Sequence, residues 1–163
     1  MSNEQILSAR IDNSFILKLV GDVRVPLCKT LDECVQEICA IGFNRLIIDF
    51  SEATNADSTT LGLIAKLCIR SKECCQVDPV LYAPNENMQR LLQTMCMDQV
   101  ATLWSEPVSL QADHYQSHAI EPCDNESALD HVIEAHRILM SLSDDNNERF
   151  SDLVAQLESC EAH

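Results

Sequence analysis

Residues 46–72, with the sequence LIIDFSEATNADSTTLGLIAKLCIRSK, constrain the fold more than any other part of the chain. The stretch begins with a short apolar run typical of a buried strand and continues through a polar loop. It ends in a segment whose apolar residues recur every three or four positions, which predicts an amphipathic helix. A buried strand followed by a covering helix is the unit from which α/β folds are built, so the stretch predicts that class.

The rest of the first two thirds of the chain repeats this alternation. Two β-rich segments with an Asp12–Asn13 turn between them predict a hairpin, and Gly21 breaks the second strand. We predict strands over residues 5–11, 14–20, 45–50, 77–82 and 100–104. We predict helices over residues 26–40, 57–72 and 85–96. Because strands alternate with helices, we expect a mixed β-sheet of about five strands with parallel pairs, flanked by helices.

The composition changes near residue 106. Residues 106–163 hold 13 acidic and two basic residues, whereas residues 1–105 hold 13 acidic and nine basic ones. We predict a domain over residues 1–105, a linker over 106–126 and an acidic α-helical hairpin extension over 127–163. The helices of the hairpin are predicted over 127–142 and 148–160. The apolar face of such a hairpin must be buried on the domain, on a second copy in a homodimer, or on a partner.

The net charge excludes several classes of partner. At a formal charge of −15 and a pI near 4.5, the chain has no cluster of basic residues to bind the backbone of DNA or RNA. Anionic membrane surfaces are disfavoured for the same reason. The sequence has neither a signal-peptide pattern nor an apolar run of the roughly 20 residues that a spanning helix needs, so we expect a cytoplasmic protein.

The nine cysteines do not predict a disulfide framework. Nine is an odd number, and no C-x-x-C occurs. Cys28, Cys34, Cys39 and Cys68 stand among apolar residues at helical spacing. We therefore expect them to be reduced and to act as small hydrophobic side chains.

The histidines favour neither a metal site nor a catalytic one. His114 and His118 are four residues apart but fall in the predicted linker, while His131 and His136 are five apart and point to different faces of a helix. A serine hydrolase needs a base, yet every histidine lies in the tail, and no G-x-S-x-G occurs. We expect no metal, no cofactor and no enzymatic activity; without a Gly-rich phosphate loop, any kinase must be another protein.

Asp57 and Ser58 stand directly before the second predicted helix, and Thr59 and Thr60 follow them. The first turn of a helix exposes unpaired N–H groups and carries a partial positive charge, so a polar side chain there is most often a cap worth about 1 kcal/mol. The same geometry accepts a phosphate, and a phosphoserine would add about −1.5 to −2 charges. The residues alone leave a cap, a nucleophile and a phosphorylation site open.

The sequence DFSEATNADSTTLGL, at residues 49–63, resembles the STAS domain of anti-sigma factor antagonists, in which the same order of elements leads to the motif. The matching residues are Asp49, Ser51, Asp57, Ser58, Thr59, Leu61 and Gly62. The resemblance covers about residues 5–105. The chain departs from the pattern at Thr60, where the family commonly has glycine, and at Ala56, where it commonly has a bulky apolar residue.

The resemblance implies a phosphorylation switch at Ser58. In the family, the unphosphorylated antagonist binds an anti-sigma factor that is also a serine kinase, and a sigma factor is freed. Phosphorylation of the serine after the motif aspartate releases the antagonist, and a PP2C-type phosphatase resets it. Because Thr60 adds a third hydroxyl, Thr59 and Thr60 are the alternative sites of phosphorylation.

The resemblance also implies a partner-binding surface around this helix start. Loops that follow adjacent strands gather at one edge of a sheet, so Asp22 and Asn55 are expected beside the motif. We therefore predict contact with the anti-sigma factor through Asp22, Asn55, Asp57, Ser58, Thr59, Thr60 and Leu61. Some STAS domains have no phosphorylation switch, so the alternative function is a constitutive adaptor or scaffold, for example a subunit of a transporter complex.

Overall fold

The computed structural model describes residues 4–107, 112 and 114–161. These residues form six strands and five α-helices. The strands are Gln5–Ile11 (β1), Ser14–Val23 (β2), Arg45–Ala56 (β3), Val80–Tyr82 (β4), Thr102–Trp104 (β5) and Gln116–His118 (β6). The helices are Cys28–Ile41 (α1), Ser58–Cys75 (α2), Glu86–Thr94 (α3), Asn125–Met140 (α4) and Asp144–Glu161 (α5). Short 3₁₀ turns at Val25–Leu27 and Met97–Gln99 precede α1 and β5.

The six strands form one mixed sheet in the order β5-β4-β3-β2-β1-β6. β1 is antiparallel to both of its neighbours, β2 and β6. The strands from β2 to β5 run parallel to one another. The prediction of a mixed, helix-flanked sheet with parallel pairs is confirmed, and the sheet has one strand more than expected.

The additional strand lies in the segment predicted as a linker, residues 106–126. Of that segment, residues 108–111 and 113 lie outside the described residues, β6 covers Gln116–His118, and α4 begins at Asn125. β6 pairs with the outer edge of β1, and the Ser8 hydroxyl is 2.7 Å from Nε2 of His118. Sequence reasoning missed this strand because Gln-Ser-His has no apolar alternation, and its pairing depends on a distant edge of the sheet.

β2 and β3 extend further than their apolar residues predict. β3 continues through the expected polar loop to Ala56, and β2 continues past Gly21 to Val23. The β2–β3 pairing shifts register twice, once between Lys18 and Val20 and again beside Gly21, whose φ is +86°. Bulges of this kind let the two strands continue as a pair beyond the short strand β4 and carry β3 directly to the start of α2.

The core is made of the sheet face covered by α1 and α2. Its largest fully buried side chains include Leu17, Leu19, Leu31, Leu46, Ile48, Phe50, Leu61, Ile64 and Leu67. α1 ends before Gly42, as predicted, where φ is +81°.

Three cysteines belong to this core, and all nine thiols are free. Burial raises the pKa of Cys28 and of Cys68 to about 12, and that of Cys34 to about 11. These side chains therefore stay protonated at neutral pH and act as the small hydrophobic groups that the sequence predicts.

The C-terminal hairpin, α4 and α5, lies on the core and not away from it. α4 packs across α2 and beside α1, and Ala135, Leu139 and Phe150 join the core cluster. In the first turn of α5, Asn146 donates hydrogen bonds to the Met95 and Leu139 carbonyls at 2.9 and 3.0 Å. Of the three surfaces expected to bury the hairpin, the structure shows the first.

The second helix of the hairpin starts earlier than predicted. α5 begins at Asp144, four residues before the predicted start at residue 148, and Ser143 accepts a hydrogen bond from the Asn146 N–H at 3.0 Å. Within the part of the chain that the structure describes, no helix combines the length and the apolar character needed to cross a membrane.

Candidate functional site

Asp57 is the N-cap of α2. One carboxylate oxygen accepts the Thr60 N–H at 2.8 Å, and the other accepts the Val25 N–H at 2.9 Å. The Asp57 N–H in turn donates to the Val23 carbonyl at 3.1 Å. The predicted cap is therefore confirmed, and it also fastens the start of α2 to the connection between β2 and α1.

Thr59, Thr60 and Leu61 lie in the interior, at 3%, 0% and 0% exposure. The Thr60 hydroxyl donates to the Val23 carbonyl at 3.1 Å and lies 3.9 Å from the Cys28 sulfur. In this fold an external enzyme cannot reach the hydroxyls of either threonine without a rearrangement of the helix start. Of the three hydroxyl-bearing residues at this helix start, Ser58, Thr59 and Thr60, Ser58 alone is half-buried.

The Ser58 hydroxyl is bonded to a histidine of the hairpin. Its Oγ lies 2.7 Å from Nε2 of His136, and Nδ1 of the same ring lies 2.6 Å from the Val132 carbonyl oxygen. Because a carbonyl only accepts, Nδ1 carries the proton, and in the neutral ring Nε2 accepts the hydrogen bond from Ser58. This arrangement fixes the direction of the hydroxyl and gives its proton an acceptor.

His136 is held in place from several sides. The residue is 3% exposed, and the Phe150 ring meets it edge-on with the centroids 4.9 Å apart. Every histidine lies in the tail of the sequence, but the hairpin brings His136 back to Ser58 across 78 positions. No local pattern could have revealed this pairing; the amphipathic character of α4 was the only signal that it covers something.

Ser58, Gly62 and Lys66 form a row along one face of α2, since they are spaced four residues apart. Each meets one of three consecutive α4 residues: His136, Ala135 and Glu134, in that order. α4 therefore crosses α2 at Gly62, and the longer side chains of Glu134 and His136 reach along α2 in opposite directions. We call the row and its three partners the α2–α4 contact.

Gly62 is the closest point of the α2–α4 contact. A Cβ atom built on Gly62 would lie 2.4 Å from the Ala135 carbonyl oxygen and 2.6 Å from the Ala135 Cβ. Both distances are shorter than atoms tolerate, so the helices can cross this closely only because residue 62 is glycine.

Lys66 links three helices at the far end of the row. Its ammonium lies 2.8 Å from a carboxylate oxygen of Asp32 on α1 and 2.8 Å from one of Glu134 on α4. Burial lowers the pKa of Lys66, but the hydrogen bonds to the two carboxylates and their negative charges together outweigh it, so the pKa is raised above its ordinary value. The lysine therefore stays charged while its side chain is only 8% exposed.

Asp22 and Asn55 lie at the same edge of the sheet as the helix start. They pair across β2 and β3, one position before Val23 and Ala56. Asn55 is exposed, and half-buried Asp22 accepts the Arg24 Nε–H at 2.8 Å. The structure thus brings Asp22, Asn55 and Asp57 together as expected, although a role in partner binding stays a prediction.

The described histidines outside this site form no common cluster. His118 is bonded to Ser8, and His114 is exposed. Among the residues that the structure describes, no three side chains of His, Cys, Asp or Glu are placed to hold a metal ion.

A family model for the STAS domain matches residues 5–108, which hold β1 to β5 and α1 to α3. The chain belongs to the STAS domain family. Its β6, α4 and α5 lie beyond the matched residues, so His136 approaches the STAS domain from outside it.

Two solved structures share the fold of this STAS domain. One is a candidate anti-sigma factor antagonist from Thermotoga maritima, 19% identical, with a TM-score of 0.56 over 63% of this chain and 86% of that one. The other is the anti-sigma factor antagonist SpoIIAA in its unphosphorylated form, 13% identical, with a TM-score of 0.50 over 63% and 89%. A search of curated protein sequences returned no match.

The two departures of this STAS domain from the family pattern both lie at the start of α2. Thr60 is accommodated because its hydroxyl satisfies the buried Val23 carbonyl, which makes it part of the interior. Ala56 is 5% exposed at the last position of β3, next to the cap residue Asp57.

Proposed function

We propose that this STAS protein is an anti-sigma factor antagonist, whose unphosphorylated form binds an anti-sigma factor and thereby frees a sigma factor. The family and the two structural neighbours support this proposal. The single observation that carries it is the position of Ser58, a half-buried hydroxyl directly after the cap residue at the start of α2.

Ser58 is the proposed site of phosphorylation. A phosphate there would lie close to the unpaired N–H groups and the positive end of α2, which favour added negative charge. Thr59 and Thr60 are the weaker candidates because both side chains are buried, whereas Ser58 is only half-buried. Asp22, Asn55 and Asp57 supply the polar surroundings of the proposed binding surface, and Leu61 supports it from the interior.

The proposed switch acts through charge. Phosphorylation adds about −1.5 to −2 charges at a surface that the partner must contact, so like charges and desolvation weaken the complex. We infer that the anti-sigma factor is itself the serine kinase and that a PP2C-type phosphatase removes the phosphate. The protein would then act in the cytoplasm by binding, and not by catalysis of its own.

Phosphopeptide mapping tests the assignment of the site. The wild-type protein is incubated with ATP and a lysate of the source organism, beside Ser58→Ala and the control Ser105→Ala, whose serine is exposed. We expect the label on the peptide that contains residue 58 to disappear in Ser58→Ala and to persist in the control. Unchanged labelling of Ser58→Ala would show that another residue is modified.

A constitutive adaptor remains the second candidate, and the bond between Ser58 and His136 favours it, because a hydroxyl held this way is not presented to a kinase. Binding to the anti-sigma factor separates the two functions. A switch requires Ser58→Asp to bind more weakly than its neutral isostere Ser58→Asn. Equal binding by the two variants would leave the adaptor as the better explanation.

A further inference from the structure

The α2–α4 contact lies on the surface that a kinase must reach. His136 bonds the Ser58 hydroxyl itself, and α4 crosses α2 one turn further on, at Gly62. Any protein that brings a phosphoryl donor to Ser58 needs this end of α2. The docked hairpin and such a partner therefore exclude each other from it.

The contact has the composition of an interface that can separate. Along the row, α2 offers a hydroxyl, a glycine and an ammonium, and α4 offers an imidazole, a methyl group and a carboxylate. The polar members of such a contact are well solvated when they are exposed, unlike the Leu and Ile side chains between α2 and the sheet. Beyond this contact, the hairpin places Leu139 and Phe150 in the core cluster.

The chain before α4 is fastened independently of the hairpin. β6 pairs with β1, the Glu121 N–H donates to the Thr30 hydroxyl at 2.9 Å, and Glu121 lies 3.5 Å from the Lys29 ammonium. α4 begins with its cap Asp124, only three residues after this anchor. The hairpin can thus lift from α2 about residues 122–124 while β6 stays in the sheet.

We propose that the hairpin is a built-in inhibitor of the STAS domain. When it is docked, His136 holds the Ser58 hydroxyl and α4 covers the adjoining face of α2, so the kinase acts only on molecules whose hairpin has lifted. This inference rests on the proposed phosphorylation of Ser58. The rate of phosphorylation is then proportional to the open fraction, because only the open form is competent.

Gly62→Ala is the variant that opens the hairpin. The three atoms nearest to the added Cβ all belong to Ala135, at 2.4, 2.6 and 2.7 Å. Alanine favours the helical conformation of α2 itself. The matched control is Lys72→Ala, at an exposed position of the same helix. Opening is measured by hydrogen exchange of the amides of residues 125–140 and by the alkylation rate of Cys96, whose sulfur lies 3.2 Å from the Ser143 hydroxyl in the docked state.

Ser143→Cys is the variant that closes the hairpin. It places a second thiol beside Cys96, so that a disulfide under oxidising conditions ties the α4–α5 turn to the residues after α3. The same protein after reduction is its own control. Peptide mapping of the oxidised protein identifies the bond before the kinase reaction is started.

The experiment compares Ser58 phosphorylation of these full-length proteins in the same lysate with ATP. We expect Gly62→Ala to be phosphorylated about tenfold faster than wild type or more, and oxidised Ser143→Cys about tenfold slower than its reduced form. Label on Ser58 at equal rates in all of them would overturn the inhibitor and leave the proposed function standing. No label on Ser58 even in Gly62→Ala would overturn both.

Discussion

At the scale of single residues, Asp57 joins two segments that are distant in sequence. Its carboxylate accepts the N–H groups of Thr60 and Val25, so replacement by alanine leaves two donors without their partner. We expect Asp57→Ala to lower the free energy of unfolding by about 1–3 kcal/mol, measured by urea denaturation. Asp57→Asn should lower the free energy of unfolding by less, because its amide oxygen still accepts one of the two hydrogen bonds.

The control for Asp57 is Asp22→Ala, because among the described residues the Asp22 side chain bonds only the exposed Arg24. Its effect should stay within about 0.5 kcal/mol. If Asp57→Ala and Asp22→Ala destabilise the protein equally, the two hydrogen bonds of Asp57 do not hold the start of α2 in solution.

Residues near one another in sequence were the predictable part of the site. The cap at Asp57 follows from its place before an amphipathic segment, because capping is a local interaction. The burial of Thr59 and Thr60 was not predicted, since it depends on how α2 enters the core. The bond between Ser58 and His136 joins positions 78 apart, and a single sequence does not contain that information.

At the scale of elements, the Lys66 ion pairs hold α1, α2 and α4 together, and their members differ in burial. The side chain of Asp32 is 12% exposed, whereas that of Glu134 is 45% exposed. Lys66→Met leaves Asp32 without its ammonium partner and should cost about 3 kcal/mol. Glu134→Gln leaves the Lys66–Asp32 pair intact and should cost about 1 kcal/mol or less. Urea denaturation of the two variants beside wild type measures both.

The same pairs predict a dependence on pH. Because the folded-state pKa of Lys66 is raised above its ordinary value of 10.5, its charge stabilises the fold fully below that pH, and the contribution disappears as the pH rises through the folded-state value. The stability difference between wild type and Lys66→Met should therefore be constant between pH 7 and about 9 and shrink above about 10.5. A difference that grows with alkaline pH would contradict the assignment.

The elements were predictable where the periodicity was strong. α1, α2 and α4 have apolar residues every three or four positions, and each was found close to its predicted place. β6 and the end of β3 were missed because their residues are mostly polar, and backbone pairing with a neighbouring strand holds them in the sheet. Such pairing is a property of the assembled sheet and leaves little trace in the strand's own sequence.

At the scale of the whole molecule, the sequence predicts both the α/β domain and the helical hairpin but not their arrangement. The amphipathic pattern of α4 shows only that one face must be buried. Gly62 decides where α4 crosses α2, yet in the sequence it is simply the glycine of the STAS motif. The arrangement comes from a close fit between two helix faces, which has no signature in either helix alone.

Two truncations separate what the extension adds to the fold. A chain that ends at residue 122 keeps β6 and its anchor but loses the hairpin, whereas a chain that ends at residue 106 loses both. We expect both to unfold cooperatively in urea, because the sheet, α1 and α2 have a large buried cluster of their own. The free energy of unfolding should be highest for the full chain, lower for the chain that ends at residue 122 and lowest for the chain that ends at residue 106.

The chain that ends at residue 106 should also self-associate. Without β6, the outer edge of β1 is left unpaired, and an open strand edge pairs readily with another copy. We therefore expect the chain ending at residue 106 to show concentration-dependent dimers in sedimentation experiments, and the chain ending at 122 to show fewer. A gradual, non-cooperative loss of structure in the chain that ends at residue 122 would mean that the hairpin completes the core. The hairpin could then not lift from α2 without unfolding the STAS domain.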